Sequence, residues 1–238
     1  AMVKLPSLVG DRMVLQRETD LKIWGWADPG EKVTVRFRGA HYYTEADGQG
    51  RWHVMLPPQL PGGPFLMEVN EKVIRDVLVG DVFLCGGQSN QENPIERLVE
   101  KFPEIPVSNN HMIRHFKVPY QDDVRGVKEN LAGSGVWHSA TASEVMNWTS
   151  LAYFFAKEMY RETQVPVGIV NSSWGGSSVE AWMSEEALQK FPRQLHERDL
   201  FNSDEYRELC NRSGQMMNRF WDAALYKGDQ GLHDGICW

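Results

Sequence analysis

The sequence predicts an α/β fold in which a small β module precedes a larger part built on parallel strands. Short alternating segments separated by turns fill the first third of the chain, which is typical of a small β-sandwich. Beyond residue 76, nearly continuous apolar segments alternate with helical patterns. Such apolar segments are typical of strands that are buried on both faces of a parallel sheet.

The strands of the β module, residues 1–76, are predicted from two-residue alternation and from the turns between them. Turn residues occur at 28–31 and 46–50, and a stretch rich in Pro and Gly covers 57–64, where the chain is expected to reverse. The predicted strands are 13–16, 21–26, 32–37, 51–56, 65–69 and 72–74.

The second part, residues 77–200, alternates strands with helices. Strands are predicted over 77–85, 113–118 and 167–171, and helices over 94–100 and 151–160. Pro94 suits a first helical turn, and Thr149 or Ser150 can cap the helix that follows. Because helices separate these strands, we expect parallel pairing.

A third segment, residues 201–238, begins with a polar helix. Ser203 is expected to cap this helix, and Asp204 and Glu205 favour its positive end. Its Met and aromatic residues recur at helical spacing up to Tyr226, which indicates a packing surface and not a cofactor site.

Composition excludes several classes of function. The net charge is −7 and no Lys/Arg cluster occurs, so the chain is not expected to bind nucleic acid. No apolar run approaches the roughly 20 residues needed to cross a bilayer, so no membrane partner is expected.

Cys85 is interpreted as a small buried hydrophobe, and Cys210 and Cys237 can pair or stay free. The cysteine spacing gives no zinc pattern, and we expect neither a metal nor an organic cofactor.

Ser89 is the candidate nucleophile. It follows a buried strand through Gly86 and Gly87, so the backbone can turn sharply at the carboxyl end of that strand, where ligands bind in open α/β sheets. A second turn, Gly175-Gly176, follows the strand at 167–171. The two turns can supply N–H donors for a developing oxyanion. The segment is not the GxSxG elbow of ordinary α/β-hydrolases, because Asn90-Gln91 stands where the later Gly belongs.

Long ordered segments resemble the sialic-acid-specific acetylesterases, or sialate O-acetylesterases, of the SGNH hydrolase superfamily. One departure is Gln91, where the family usually has Met, and this change concerns the shape of the pocket more than the chemistry. The resembling segments are MVLQR at 13–17, WGWADPGE at 24–31, VLVGDV at 77–82, GQSN at 87–90, PVGIV at 166–170 and WGGSSVEAW at 174–182.

The resemblance implies a three-layer SGNH-like fold around a parallel sheet, present here in part, and a serine esterase that removes O-acetyl groups from a sialic acid. Ser89 would attack the acetyl carbonyl. The N–H groups of Ser89 and Gly176, or alternatively Gly175, would form the oxyanion hole. Gln88 and Asn90 would hold the loop or contact the acetylated sugar.

The general base that the family uses is absent from the sequence. It is a His in an Asp-x-x-His block, preceded by a Trp-Tyr-Gln-Gly-Glu block, and neither block occurs here. Asp229 and His233 have the wrong spacing. We therefore expect a second polypeptide, or a missing C-terminal half, to carry the catalytic His. The histidines interpreted as structural or solvated are His111, His115, His138 and His196, and His41 and His53 belong to the β module.

Two alternatives stay open at this point. Within the same chemistry, the chain can belong to a deacetylase of xylan or of another glycan. From another class, it can be a carbohydrate-binding module without turnover.

The acidic pairs Asp122-Asp123 and Glu185-Glu186 are interpreted as solvated charge, because adjacent side chains point in different directions. A periplasmic, secreted or lysosomal location is expected, although no signal peptide is visible in the sequence.

Overall fold

The computed structural model describes residues 2–104, 107–121, 126–133 and 135–226, with the side chains of 223–226 excepted. Its ten strands are β1 Val14–Gln16, β2 Leu21–Trp26, β3 Lys32–Phe37, β4 Ala40–Glu45, β5 Arg51–Leu56, β6 Gly62–Val69, β7 Lys72–Gly87, β8 Asn110–Lys117, β9 Trp137–Ala140 and β10 Val167–Ser173. Its α-helices are α1 Ser89–Glu92, α2 Ile95–Lys101, α3 Ser150–Thr163, α4 Glu185–Leu188, α5 Pro192–Asn202 and α6 Asp204–Tyr226. Short 3₁₀ helices cover Glu144–Asn147 and Val179–Trp182.

The chain divides into two compact units. The first covers 1–121 and 128–178, and the second covers 122–127 and 179–238. All ten strands described above lie in the first unit, and α4, α5 and α6 lie in the second.

The main sheet has the strand order β4-β3-β6-β7-β10-β8-β9, and β1 pairs with β7 beside this path. β10 is parallel to both β7 and β8, which confirms the predicted parallel pairing. The sheet is therefore mixed, because β3, β4 and β6 are antiparallel and β9 is antiparallel to β8. The mixed α/β architecture agrees with the predicted fold class.

Strand β7 joins the two kinds of pairing within one 16-residue strand. Its first half is antiparallel to β6 and parallel to β1, whereas from Asp81 onward it pairs in parallel with β10. The strands predicted at 72–74 and 77–85 are therefore one continuous strand. The domain boundary that the sequence places between residues 76 and 77 falls inside it.

The β module contains a second sheet, in which β2 and β5 pair antiparallel. Alternate side chains on these strands, such as Ile23 and Leu56, are buried in the same cluster as Val35 and Val69 of the main sheet. The period-two patterns thus select the buried face correctly. The small β-sandwich expected for residues 1–76 stays a prediction.

Helix α3 packs on the parallel strands through Ala152, Tyr153 and Ala156, which are buried. Thr149 occupies the N-cap position, but its side chain makes no capping hydrogen bond. Ser150 Oγ instead donates to the carbonyl of Asn93 at 3.0 Å, and so connects α3 to the segment that follows α1.

In the second unit, the predicted cap at Ser203 is confirmed, because the N–H of Tyr206 donates to Ser203 Oγ at 3.2 Å. Glu185 forms an ion pair with Arg198 at 3.2 Å, which agrees with its interpretation as surface charge. In the part of the chain that the structure describes, every helix is too short or too polar to cross a membrane.

Candidate active site

The two glycine turns meet at one edge of the parallel sheet. β7 and β10 are in register as far as Gly87 opposite Ser173, so both strands end at the same level. The N–H of Trp174 then donates to the carbonyl of Gly87 at 2.9 Å. A Cβ placed on Gly175 would lie 3.8 Å from Ser89 Cβ. The residues predicted from two separate segments are therefore neighbours.

The turn into Ser89 depends on Gly87, which has φ of +152°. Residues with a side chain rarely adopt this conformation. A Cβ at Gly87 would also lie 3.0 Å from Gln91 Cβ. Gln91, which stands where the family usually has Met, therefore packs directly against the turn that carries the candidate nucleophile.

Ser89 is exposed at the first position of α1. Its Oγ donates to Gln88 Oε1 at 3.3 Å, and its N–H lies 3.5 Å from the same oxygen. Gln88 therefore contacts Ser89 directly, and its role in the loop or toward the sugar stays a prediction. Asn90 is exposed beside it, where its side chain is open to a ligand.

Glu92 was not singled out by the sequence. It lies three residues after Ser89 on α1, and its Oε2 accepts the N–H of Gly175. Its Oε1 lies 4.0 Å from Lys117 Nζ. The only available signal was its spacing, since residues i and i+3 share one face of a helix.

Lys117, at the end of β8, connects the third parallel strand to the site. Its Nζ donates to the Ser173 carbonyl at 3.2 Å and to Ser173 Oγ at 3.4 Å. Burial lowers the pKa of Lys117, and the negative charge of Glu92 opposes that shift. The ammonium also lies 4.9 Å from the centre of the Tyr120 ring, which is a cation–π distance.

Two partly exposed aromatic side chains form a wall beside the turn. The ring centres of Tyr120 and Trp174 are 4.8 Å apart, and the two residues are 53% and 38% exposed. Behind the wall, Ser173 Oγ donates to Asn171 Oδ1 at 2.7 Å. Asn171 is buried.

His115 and His138 have partners away from Ser89. His115 is buried and stacks on Trp148 with ring centres 4.8 Å apart, and burial lowers the pKa of His115 to about 3. His138 Nδ1 lies 3.4 Å from Glu144. In the described ranges, no hydrogen bond of Ser89 reaches a histidine. Asp122, Asp123, Asp229 and His233 lie outside the described residues.

Two of the three cysteines lie among the described residues. Cys85 is a free thiol on β7, and burial raises its pKa, which makes it a poorer nucleophile. Cys210 is free and exposed, and Cys237 lies outside the described residues.

A separate cleft of about 400 Å³ lies on the outer face of β2 and β5. Trp26 and Arg51 face each other across the two strands, as do Trp24 and His53. Glu129 closes one side, where it accepts from Trp26 Nε1 at 3.4 Å. The cleft therefore combines aromatic surface with charged groups of both signs.

Comparison with known proteins identifies the family. Residues 79–234 match the family model for carbohydrate esterases described as sialic acid-specific acetylesterases. The chain belongs to this family. The match includes Ser89, the Glu92 helix and both glycines of the second turn.

Individual members of the family agree with this assignment. The chain is 30% identical to the human sialate O-acetylesterase over 78% of its own length and 40% of that protein, and 32% identical to the rat enzyme over 78% and 38%. A crystal structure of a carbohydrate acetylesterase from Xanthomonas citri matches with a TM-score of 0.74 and 40% identity, over 79% of this chain and 44% of that one. The chain thus spans about two-fifths of the length of the curated relatives it matches.

Proposed function

We propose that this chain carries the nucleophile of a serine esterase that hydrolyses O-acetyl esters of a carbohydrate. The observation that carries the proposal is the convergence of Ser89 with the Gly175-Gly176 turn at the carboxyl edge of two parallel strands. Ser89 Oγ attacks the acetyl carbonyl, and backbone N–H groups stabilise the oxyanion of the tetrahedral intermediate. Collapse of the intermediate releases the sugar alcohol, and water then hydrolyses the acetyl-serine.

The base that removes the Ser89 proton is proposed to lie outside these 238 residues, on a second polypeptide or on a further part of the same one. The sequence contains no Asp-x-x-His block, and among the described residues no hydrogen bond of Ser89 reaches a histidine. One edge of β7 also supports the proposal. From Asp81 to Gly87 this strand pairs with β10 alone among the described strands, and Leu84 is 76% exposed. An unpaired edge with an exposed apolar side chain is suited to pairing with a further strand.

The proposed substrate is an O-acetylated sialic acid. The curated relatives are sialate O-acetylesterases, and the wall of Tyr120 and Trp174 offers an apolar face beside the nucleophile. Lys117 adds positive charge there, which suits the carboxylate of a sialic acid. The related crystal structure is named only as a carbohydrate acetylesterase, so an acetylated xylan or other glycan is the alternative substrate. A secreted, periplasmic or lysosomal location is part of the same proposal.

Glycan binding without turnover is the second candidate function. The cleft between Trp24 and Trp26 favours it, because aromatic surface together with a few polar groups is typical of ligand sites. In this view the cleft on β2 and β5, and not Ser89, carries the function.

A fluorophosphonate probe separates the two candidates. Applied to the natural polypeptide that contains this sequence, together with any partner that co-purifies, the probe is expected to modify Ser89. The Ser89→Ala variant should lose both labelling and release of acetate, whereas Ser178→Ala, an exposed serine beyond the second turn, should keep both. An unlabelled Ser89, combined with glycan binding that is lost in Trp26→Ala, would instead establish the binding function.

A further inference from the structure

The contact between Glu92 and the second glycine turn distinguishes the two candidate oxyanion donors. We propose that Glu92 is a positioning residue that takes up the N–H of Gly175 and thereby leaves the N–H of Gly176 as the second oxyanion donor beside Ser89. The inference rests on the proposed function and makes it more specific, because the sequence left Gly175 and Gly176 as alternatives.

The hydrogen bond from Gly175 to Glu92 is the first argument. One N–H proton makes one strong hydrogen bond, and the bond to an ionised carboxylate is among the stronger kinds. For Gly175 to serve the oxyanion, the carboxylate of Glu92 would have to give up this donor while partly buried. Gly175 is therefore committed to holding the turn.

The geometry of Gly176 is the second argument. In the described part of the chain its N–H has no hydrogen-bond partner. Its φ is +79°, and a Cβ placed on it would meet no atom within 4 Å. Gly176 thus borders open space on the exposed side of the turn. The bond from Ser177 N–H to the Trp174 carbonyl, at 3.3 Å, closes the turn around it.

The position of Glu92 on α1 explains why its carboxylate can accept the N–H of Gly175. Glu92 and Ser89 are three residues apart, so they share one face of the helix. A Cβ on Gly175 would lie 2.7 Å from Glu92 Oε2 and 3.7 Å from Ser89 Cα. The carboxylate therefore joins the nucleophile helix to the donor turn directly, and any movement of one is transmitted to the other.

A carboxylate beside a developing oxyanion would oppose the reaction unless its charge were offset. Two groups offset it here, namely the N–H of Gly175 and the ammonium of Lys117, which lies 4.0 Å from Glu92 Oε1. Lys117 is held in turn by the carbonyl and hydroxyl of Ser173. The pair fixes the turn without presenting a bare negative charge to the substrate.

Amide NMR of the natural polypeptide labelled with ¹⁵N-glycine tests the assignment. In the free protein, Glu92→Gln should move the Gly175 amide proton upfield, since a charged acceptor becomes neutral, while Glu96→Gln, an exposed glutamate on α2, should not. When fluorophosphonate modifies Ser89, the Gly176 amide should move downfield and Gly175 should change little. A downfield shift at Gly175 without one at Gly176 would overturn the proposal.

Kinetics distinguish positioning from a merely structural role. Glu92→Ala should lower kcat for acetyl ester hydrolysis about 10- to 100-fold with little change in KM, because a displaced oxyanion donor affects the transition state more than substrate binding. Glu92→Gln retains an oxygen of the same reach and should lose less than Glu92→Ala. Unchanged kcat in both variants, or an equal rise in KM, would contradict the inference.

The two proposals fail in different ways. If Ser89 is not modified in the wild-type protein, the esterase proposal fails, and the Gly176 assignment fails with it. The Glu92 contact is still decided by the Gly175 amide in the free protein. If Ser89 is modified normally but Gly176 does not respond, the esterase proposal stands and this inference is wrong.

Discussion

Individual side chains around Ser89 show how charge is placed in a site that is largely made of backbone. Glu92 contacts the second turn through the N–H of Gly175, Lys117 contacts the preceding strand through Ser173, and the two side chains lie 4.0 Å apart. Burial lowers the pKa of Lys117, and the negative charge of Glu92 opposes that shift. The proposed oxyanion donors are N–H groups, whose charge does not vary with pH.

His115 presents the opposite case, a titratable residue held neutral for structural reasons. It is 4% exposed, its Nε2 has no hydrogen-bond partner among the described residues, and its ring stacks on Trp148. Burial is the largest cause that lowers the pKa of His115 to about 3, and the positive charges of Lys117 and His138 add to it. The imidazole therefore serves as packing in the layer between α3 and the sheet.

Because His115 is neutral in the folded protein, we expect the free energy of unfolding to depend on pH. Between the ordinary pKa of 6.5 and the folded pKa of about 3, the unfolded chain binds a proton that the folded chain does not, so stability falls as the pH is lowered through this window. His115→Phe keeps the stacked shape and removes the proton. Relative to wild type, we expect His115→Phe to gain about 2 kcal/mol in free energy of unfolding between pH 7 and pH 5, measured by urea denaturation.

The control for this experiment is His111→Phe, which changes an exposed histidine of the same strand. A relative gain in His115→Phe no larger than that in His111→Phe would show that His115 does not contribute to the loss of stability in acid.

Among the secondary-structure elements, β7 decides where the nucleophile lies. It leaves the antiparallel part of the sheet near Gly80 and then pairs in parallel with β10. The N–H of Asp81 donates to the Pro166 carbonyl at 2.9 Å, and the Arg17 guanidinium contacts the Asp81 carboxylate at 3.0 Å. These contacts fix the register that brings Gly87 opposite Ser173.

Gly80 allows β7 to approach the chain at Pro166. A Cβ on Gly80 would lie 2.0 Å from the Pro166 carbonyl oxygen, and this atom belongs to a backbone held in the sheet. Because the strands would have to separate, we expect Gly80→Ala to lower the free energy of unfolding by about 2 kcal/mol or more, measured by chemical denaturation.

A matched control is Gly48→Ala in the turn before β5, where an added Cβ meets nothing within 4 Å. It should change stability by no more than about 0.5 kcal/mol. Equal effects of the two substitutions would mean that the close approach at Pro166 does not limit the packing of β7.

Across the whole molecule, the described residues bring the candidate nucleophile Ser89 close to the Gly175-Gly176 turn, and no hydrogen bond joins Ser89 to a histidine among them. The first unit contains Ser89, Glu92 and the Gly175-Gly176 turn. The carboxyl half of β7 keeps an unpaired edge among the described residues. We therefore expect full turnover only when further residues that carry the His are present.

A comparison of two preparations tests this expectation. These 238 residues alone should hydrolyse an acetyl ester roughly 10⁶-fold more slowly than the natural polypeptide with any partner, because removal of a base leaves only oxyanion donors and binding. The measurement is acetate release at saturating substrate, with near-UV circular dichroism of both preparations to confirm native packing. Equal rates would place the base within these residues.

Much of the fold follows from local patterns in the sequence. The bounds predicted for β2, β3 and β5 agree with the structure, because alternation along a strand is a local property that survives folding. Strands β4 and β9 were missed. β4 has no fully buried side chain and β9 is only four residues long, so neither gives a strong pattern.

By itself, the sequence determined most of the residues that form strands, where glycine permits a turn, and that Ser89 follows a strand; burial of that strand on both faces was wrong for its last residues, since none from Asp81 to Gly87 is buried. Those properties depend on residues that are only a few positions apart, because the alternation of side chains and the steric limits of the backbone act over that distance. The tertiary structure decided that β7 is one strand through residues 76 and 77, and that Glu92, Lys117 and Gly175 meet. Residues so far apart in the chain are brought together only by strand order and register, which depend on the packing of the whole sheet.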